Sequence, residues 1–356
     1  MTSSSRPVIR ALLVVVVATL LASAVLELVH VPSPALFGGL VGGMAQGLTA
    51  RTTLAVPTSV TRLGQGLIGV TIGTEISFSA LGSMGRHAPA IIAVTLGTVA
   101  TSLLAGRLLA MRRDVSTVTG AFAMIAGGAS GVVAVSRDLG ADDRVVTVVQ
   151  YLRVFVVLIS MPVVTAVVFH PERGRGTVDV DHGALLPSLV YVVISVVLGL
   201  AIASRVPVTT ATLLGPLFVG AALVSLGWLG TVSVPGAVQW LAYGLIGVQV
   251  GLRFTRSALR AIARMLPAVL AIMVSMIIAT ALMGSLLAWL TPVDGLTAYL
   301  ATTPGGLFAV LATAADSGSD VTYVMAVQMV RLLVILLCTP LLARWLSRSQ
   351  DRGVLA

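Results

Sequence analysis

Residues 120–164 of this chain return at 298–342 with the same punctuation. Gly127, Gly128, Asp138, Gly140, Asp142, Gln150, Arg153 and Pro162 fall 178 positions before Gly305, Gly306, Asp316, Gly318, Asp320, Gln328, Arg331 and Pro340. A second block keeps the offset, since Gly66 to Val70 with Gly73 and Ser79 to Leu81 maps onto Gly244 to Val248 with Gly251 and Ser257 to Leu259. The chain therefore reads as a duplication: a first repeat over 1–170, a linker over 171–184 rich in charge and Gly, and a second repeat over 185–356. Solenoids are built from units of roughly 20–50 residues, far shorter than this one. Long internal repeats in apolar chains belong to membrane transporters.

Composition fixes the solvent. With 57% hydrophobic residues, 10% charged residues and a mean hydropathy of +1.05, the chain is too apolar for a water-exposed surface. Its 22 basic residues are all Arg, and most sit in short links between apolar stretches, where membrane orientation explains the net charge of +9 better than nucleic acid does. The apolar run after Arg6 and Arg10 aligns with Leu185 to Ser204 in the second copy, so it is read as a span rather than a cleavable leader. A lone Cys338 rules out an intrachain disulfide and a cysteine-based metal cluster.

Six apolar segments recur in each half, each about the roughly 20 residues that a helix needs to cross the hydrocarbon core. They are Val8 to Val29, Pro34 to Leu48, Val60 to Phe78, Pro89 to Ala110, Thr117 to Ser136 and Val145 to Phe169, then Leu185 to Ser204, Ala211 to Leu226, Val238 to Phe254, Leu266 to Leu290, Leu296 to Ala315 and Val321 to Leu346. If all cross, there are twelve spans and the Arg bias between the two sides is eleven against eight, too weak for the positive-inside rule. If the fifth segment of each half re-enters on its own side, the bias becomes sixteen against three, with Arg62, Arg153 and Arg331 left inside the membrane. The fold expected is an all-α integral membrane protein of two inverted repeats. Each has five transmembrane helices plus one broken, re-entrant segment, giving about ten spans with both termini cytoplasmic.

The broken segments carry the functional argument. Gly127-Gly128 in one copy and Pro304-Gly305-Gly306 in the other interrupt helices by backbone entropy and by loss of a donor. Irregular backbone survives at membrane depth only where protein or a watery cavity satisfies it. A limb of about ten residues reaches roughly 15 Å, the midplane. Two inverted hairpins meeting there would offer backbone N–H and C=O groups to a small solute, with Ser130, Thr302 and Thr303 beside them. The plainer alternative is a glycine kink that permits close helix packing.

Just beyond each hairpin stand Gln150 with Arg153, and Gln328 with Arg331, at i, i+3 on one face of an apolar helix. An Arg at the bilayer centre costs about 2.5–3.5 kcal/mol on insertion scales, so it turns inward to a carboxylate, to carbonyls or to a ligand. Its fork matches carboxylate and phosphate oxygens. Two roles stay open together: each Arg binds solute, or it staples the end of its own hairpin or pairs with Asp138 or Asp316. Arg62, Gln65 and Glu75 form a second polar set; Glu75 aligns with Arg253 and is a candidate proton or cation site, and Arg62, Glu75, Asp138 and Asp316 are the candidates for ion coupling. Asp142 and Asp320 follow Gly and precede helices, as N-caps do.

No enzyme chemistry is signalled. His30, His87, His170 and His182 lack metal spacing, and neither a nucleophile elbow nor a phosphate loop occurs. Gly127-Gly128-Ala129-Ser130, Leu139 to Asp142, Gln150 to Arg153 and Thr302 to Gly306 together resemble the membrane AbrB family with its AbrB duplication, over nearly the whole chain. That resemblance implies a transporter-like architecture and brings two family labels, regulator of gene expression and ammonia monooxygenase. The second implies copper or another metal, for which this chain has no ligand set. The first does not refer to the small soluble DNA-binding proteins of the same name. Family members often carry Pro-Gly-Gly in both copies and an acid shortly after, whereas here Ala126 precedes Gly127, and Gly131 and Ala309 stand where the acid is expected. This departure points away from a carboxylate-dependent cation site and toward an anionic or neutral solute. The expectation is a non-enzymatic permease of the bacterial inner membrane with no cofactor or metal, holding a small, anionic solute. Its alternative is a membrane sensor that regulates without transport, and a monooxygenase-like enzyme is a distant third. The bilayer and the solute are the expected partners; direct nucleic-acid contact is not, and a homo-oligomer is left open.

Overall fold

The computed structural model describes residues 5–28, 31, 33–49, 54, 56–76, 82, 84–112, 115–125, 140–169, 185–206, 210–227, 232–335 and 338. Among them every regular element is helical. The first half runs α1 (Ser5–Leu28), α2 (Pro34–Thr49), α3 (Thr58–Gly73), α4 (Ala88–Leu109), α5 (Thr117–Met124) and α6 (Asp143–Val164), which ends in a π-turn at Thr165–Phe169. The second runs α7 (Leu185–Ala203), α8 (Ala211–Leu226), α9 (Gly236–Gly251), a short α10 (Arg256–Ala261), α11 (Leu266–Leu290), α12 (Gly295–Thr302), α13 (Leu307–Asp316) and α14 (Val321–Ile335). Helices α3 and α9, α4 and α11, and α5 and α12 begin 178 positions apart.

Five stretches are long and apolar enough to cross a membrane: Val8–Leu28, Met84–Leu109, Val145–Phe169, Leu185–Ala203 and Leu266–Leu290. Their outward faces carry apolar side chains such as Leu21, Leu104, Val193 and Leu282, which suit lipid. The second and third helices of each half are short: α2 and α8 keep the bounds expected from the sequence to within one residue, while α3 ends at Gly73 rather than Phe78 and α9 at Gly251 rather than Phe254. At 16 residues each they span about 24 Å, less than the roughly 30 Å hydrocarbon core. Turn residues set these limits: Pro57 and Pro235 precede α3 and α9, and Gly227 closes α8 in the left-handed conformation at φ 65°.

The chain divides into two compact units, and each draws on both halves. One comprises Met1–Phe78, Met161–Ser257 and Leu307–Thr322; the other comprises Ser79–Ser160, Ala258–Gly306 and Tyr323–Ala356. In the first unit α1 packs on α2 and α7 on α8, while α2 packs on α9 and α8 on α3. Glycine makes the α2/α9 and α3/α8 contacts close enough to bring backbone against backbone. A Cβ on Gly39 would strike the Gly244 carbonyl, one on Gly247 the Leu36 carbonyl, and one on Gly69 the Leu213 carbonyl. Lipid offers no hydrophobic gain for helix pairing, so such small-residue seams supply the dispersion contact that holds the unit together.

In the second unit α4 packs on α11, α5 lies against α4, and α12 lies against α11. Both short helices are seated by a glycine on the longer one. A Cβ on Gly106 would come within 2.7 Å of the Gly120 carbonyl oxygen, and one on Gly284 within 2.8 Å of Thr302 Oγ1. Val99, Ile125 and Ile335 form a buried apolar cluster with Leu103 and Val334 packed against it.

Candidate functional site

The site is built in the second unit from the broken ends of α5 and α12. Each short helix starts with a side-chain cap. Ser116 Oγ accepts from the Thr119 N–H at 3.1 Å, and Asp294 Oδ1 accepts from the Thr297 N–H at 2.9 Å. Thr119 also ties α5 to the start of α6, its hydroxyl accepting the Asp142 N–H at 3.0 Å. Asp142 in turn accepts from the Val145 N–H at 3.2 Å, which is the N-cap expected of it.

Both helices then stop after eight residues. Ile125 and Thr303 have left helical geometry at ψ 129° and 128°. The last carbonyls of a helix have no intrahelical donor, and inside a membrane water cannot supply one. The Gln/Arg pairs do so. Gln150 Nε2 donates to the carbonyls of Phe122 and Ile125, both at 2.8 Å, and Arg153 Nη1 to that of Met124 at 3.0 Å. In the other copy Gln328 Nε2 donates to Leu300 at 3.0 Å and to Ala301 and Thr303 at 3.2 Å, and Arg331 Nη1 donates to Thr303 at 2.8 Å. Each Arg also donates through Nη2 to the amide oxygen of its own Gln. A cation at a helix C-terminus is favoured by the dipole as well as by the hydrogen bond.

Of the two roles left open by the sequence, the staple is thus present in both copies. Its fork is not used up. All four side chains are buried, with Arg153 4% and Arg331 5% exposed, and the Nε–H of each Arg finds no acceptor among the described residues. A buried donor left unmade costs about 1–3 kcal/mol. A Cβ on Gly306, at the second break, would come 3.6 Å from Val154 Cγ1 beside Arg153, and Ile125, at the first, shares a buried apolar cluster with Ile335 one turn beyond Arg331.

Other predicted residues behave differently. Thr302 Oγ1 donates to the Thr280 carbonyl at 3.0 Å and to carbonyls of its own helix, and Thr303 Oγ1 to Tyr299 at 2.7 Å, so these hydroxyls can meet a solute only through their lone pairs. Pro304 is buried, while Gly305 and Gly306 are half-buried. Gly127, Gly128, Ser130 and Asp138 lie outside the described residues.

Asp316 belongs to the first unit. Its carboxylate accepts from Ser33 Oγ at 2.7 Å and from Gln239 Nε2 at 3.4 Å, and Gln239 also donates to Tyr243 at 3.2 Å. Ser33, at φ 53°, and Gln239 were not singled out in the sequence. The only signal available was a polar i, i+4 pair, Gln239 and Tyr243, in an apolar helix, and a Ser before Pro34 at a helix start. Arg62 is exposed on α3 and Glu75 just past its end, with the Glu75 carbonyl accepting from Thr322 Oγ1 at 3.2 Å. Among the described residues no group of three or more His, Cys, Asp or Glu side chains could hold a metal ion.

Comparison with known proteins gives the relationships. Residues 36–347 match the family AbrB, described as "Transition state regulatory protein AbrB". A protein of Escherichia coli (strain K12) named "Putative regulator AbrB" is 33% identical over 321 residues, covering 90% of this chain and 91% of the relative. A protein of Bacillus subtilis (strain 168) named "Uncharacterized protein YhjN" is 23% identical over 293 residues, covering 78% of this chain and 76% of the relative.

Proposed function

This chain belongs to the AbrB family, and from that membership, its apolar helices and its two stapled hairpins we propose that it is a permease for a small anionic solute in the bacterial inner membrane. The repeats are inverted, the hairpins re-enter, and both termini face the cytoplasm. The solute binds where the breaks at Gly127-Gly128 and Pro304-Gly305-Gly306 meet Arg153 and Arg331. One observation carries the reading: two buried guanidinium groups in an apolar protein, each with an Nε–H that has no acceptor among the described residues. Charge in the membrane interior is costly and marks ion and substrate pathways. A solute oxygen at each Nε–H would complete a fork whose other arms already fix its orientation.

A second reading comes from the relatives, since one is named a regulator: the protein binds the same solute and reports it without moving it. No metal cluster among the described residues favours the monooxygenase label.

The separating experiment is flux. Purified protein reconstituted in liposomes is loaded with a panel of unlabelled carboxylates, phosphates and sulfates, and counterflow of each labelled species is followed. Uptake of one anion, lost in Arg331→Ala protein that still folds, supports the permease. Binding without flux leaves the sensor, and absence of both discards the anion site.

A further inference from the structure

Resting on that reading, we propose that the arginines act as one site for a single doubly charged anion, a dicarboxylate or a tetrahedral oxydianion, whose oxygens bridge Arg153 Nε–H and Arg331 Nε–H. Three observations lead there. The first is the match between the copies. In both, Nη1 goes to a carbonyl of the hairpin limb and Nη2 to the neighbouring Gln, leaving the same donor over. Two sites that served only as staples would have no reason to reserve the same nitrogen, and an Nε–H free of the staple is the edge that a ligand can approach side-on.

The second is proximity. Each break packs against the helix that carries the other copy's Arg, through Gly306 on Val154 and Ile125 with Ile335. A ligand seated at one break therefore meets its own copy's arginine and the helix that carries the other.

The third is charge. The acidic side chains described in this unit, Asp142 and Asp294, are exposed and engaged as N-caps at Val145 and Thr297, so neither balances the buried pair. Two buried cations in a low-dielectric interior favour one ligand carrying two negative charges over one carrying a single charge, because it balances both.

The test uses the full-length purified protein at constant ionic strength, with succinate and sulfate as dianion probes and acetate and formate as monoanion probes. Ligand that binds the folded state raises the melting temperature. The expected result is half-maximal stabilisation by succinate or sulfate at a concentration at least about ten-fold below that for acetate. Titration calorimetry should give one dianion per chain. Arg153→Lys and Arg331→Lys each keep a charge but remove Nε, and either one should weaken dianion binding by about ten-fold or more, a larger factor than the loss of acetate binding in the same variant. Equal affinity for succinate and acetate, or two anions bound per chain, overturns the bridging site but leaves separate anion sites and the permease standing. If no probe shifts the melt of folded wild-type protein, the bridging site and the anion reading fall together. Should the Lys variants not fold, the wild-type affinity ratio and stoichiometry decide.

Discussion

In the first copy α5 stops at Ile125 and Ala126 follows in the chain; in the second α12 stops at Thr303 and Pro304 follows. Proline alone accounts for the second stop, because the residue before it is pushed out of the helical region. It cannot account for the first, where backbone of nearly the same ψ occurs with Ala in its place. What both ends share is the Gln/Arg staple, carried on α6 in one copy and on α14 in the other. The comparison assigns the break to side chains that reward exposed carbonyls, with Pro304 as reinforcement in one copy.

The sharpest way to break this comparison is to remove the amides. Gln328→Leu strips the donor from three carbonyls and the acceptor from Arg331 Nη2. It should destabilise by about 3–5 kcal/mol, as for a buried charge left uncompensated. Gln150→Leu frees two carbonyls rather than three, and about 2–4 kcal/mol is expected. Equilibrium unfolding in mixed detergent measures both, and a reversed order would show that the extra bond carries no weight.

Arg153→Lys and Arg331→Lys retain the charge but replace the fork by a point donor, for an expected loss of about 1–3 kcal/mol each in the same assay. Nearly equal losses are expected, since the two guanidinium groups bond alike. Smaller effects probe the starts of the short helices. Thr119→Val removes a hydroxyl that links Ser116 and the Asp142 N–H, worth about 1 kcal/mol. Thr297→Val removes a bond to the Asp294 cap, worth about 0.5–1 kcal/mol by the same melt. Pro304→Ala should cost least, about 0.5–1 kcal/mol through the unfolded chain. A loss larger than that of Gln328→Leu would hand the break back to the backbone and undo the assignment above.

Much of this was legible. Helix starts at Thr117 and Gly295, the break at Pro304 to Gly306 and the paired Gln/Arg residues all follow from apolar runs and their offset, because a bilayer makes each interruption conspicuous. The acceptors of Gln150 and Arg153 were not, since Phe122 and Met124 contribute only carbonyls, which every residue carries. Nor was the Asp316 cluster, whose Ser33 partner lies 283 positions away; sequence period reports which face a side chain takes and not what waits there. The ends of α3 and α9 were missed because apolar residues continue past the turn that ends the helix, whereas α2 and α8 end where the apolar runs do.

The crossed seams have a consequence for how the chain is made. Helix α2 emerges from the ribosome with the glycine face that only α9 covers, and Gly236 follows Thr49 by 187 residues. At about 5–20 residues per second that is a wait of roughly 10 to 40 s. During it α2 sits in or near the bilayer with its close-packing surface against lipid, while α3 waits in the same way for α8. Biogenesis of this protein thus contains a built-in delay. Insertion of the early helices is separated in time from completion of the α2/α9 and α3/α8 seams.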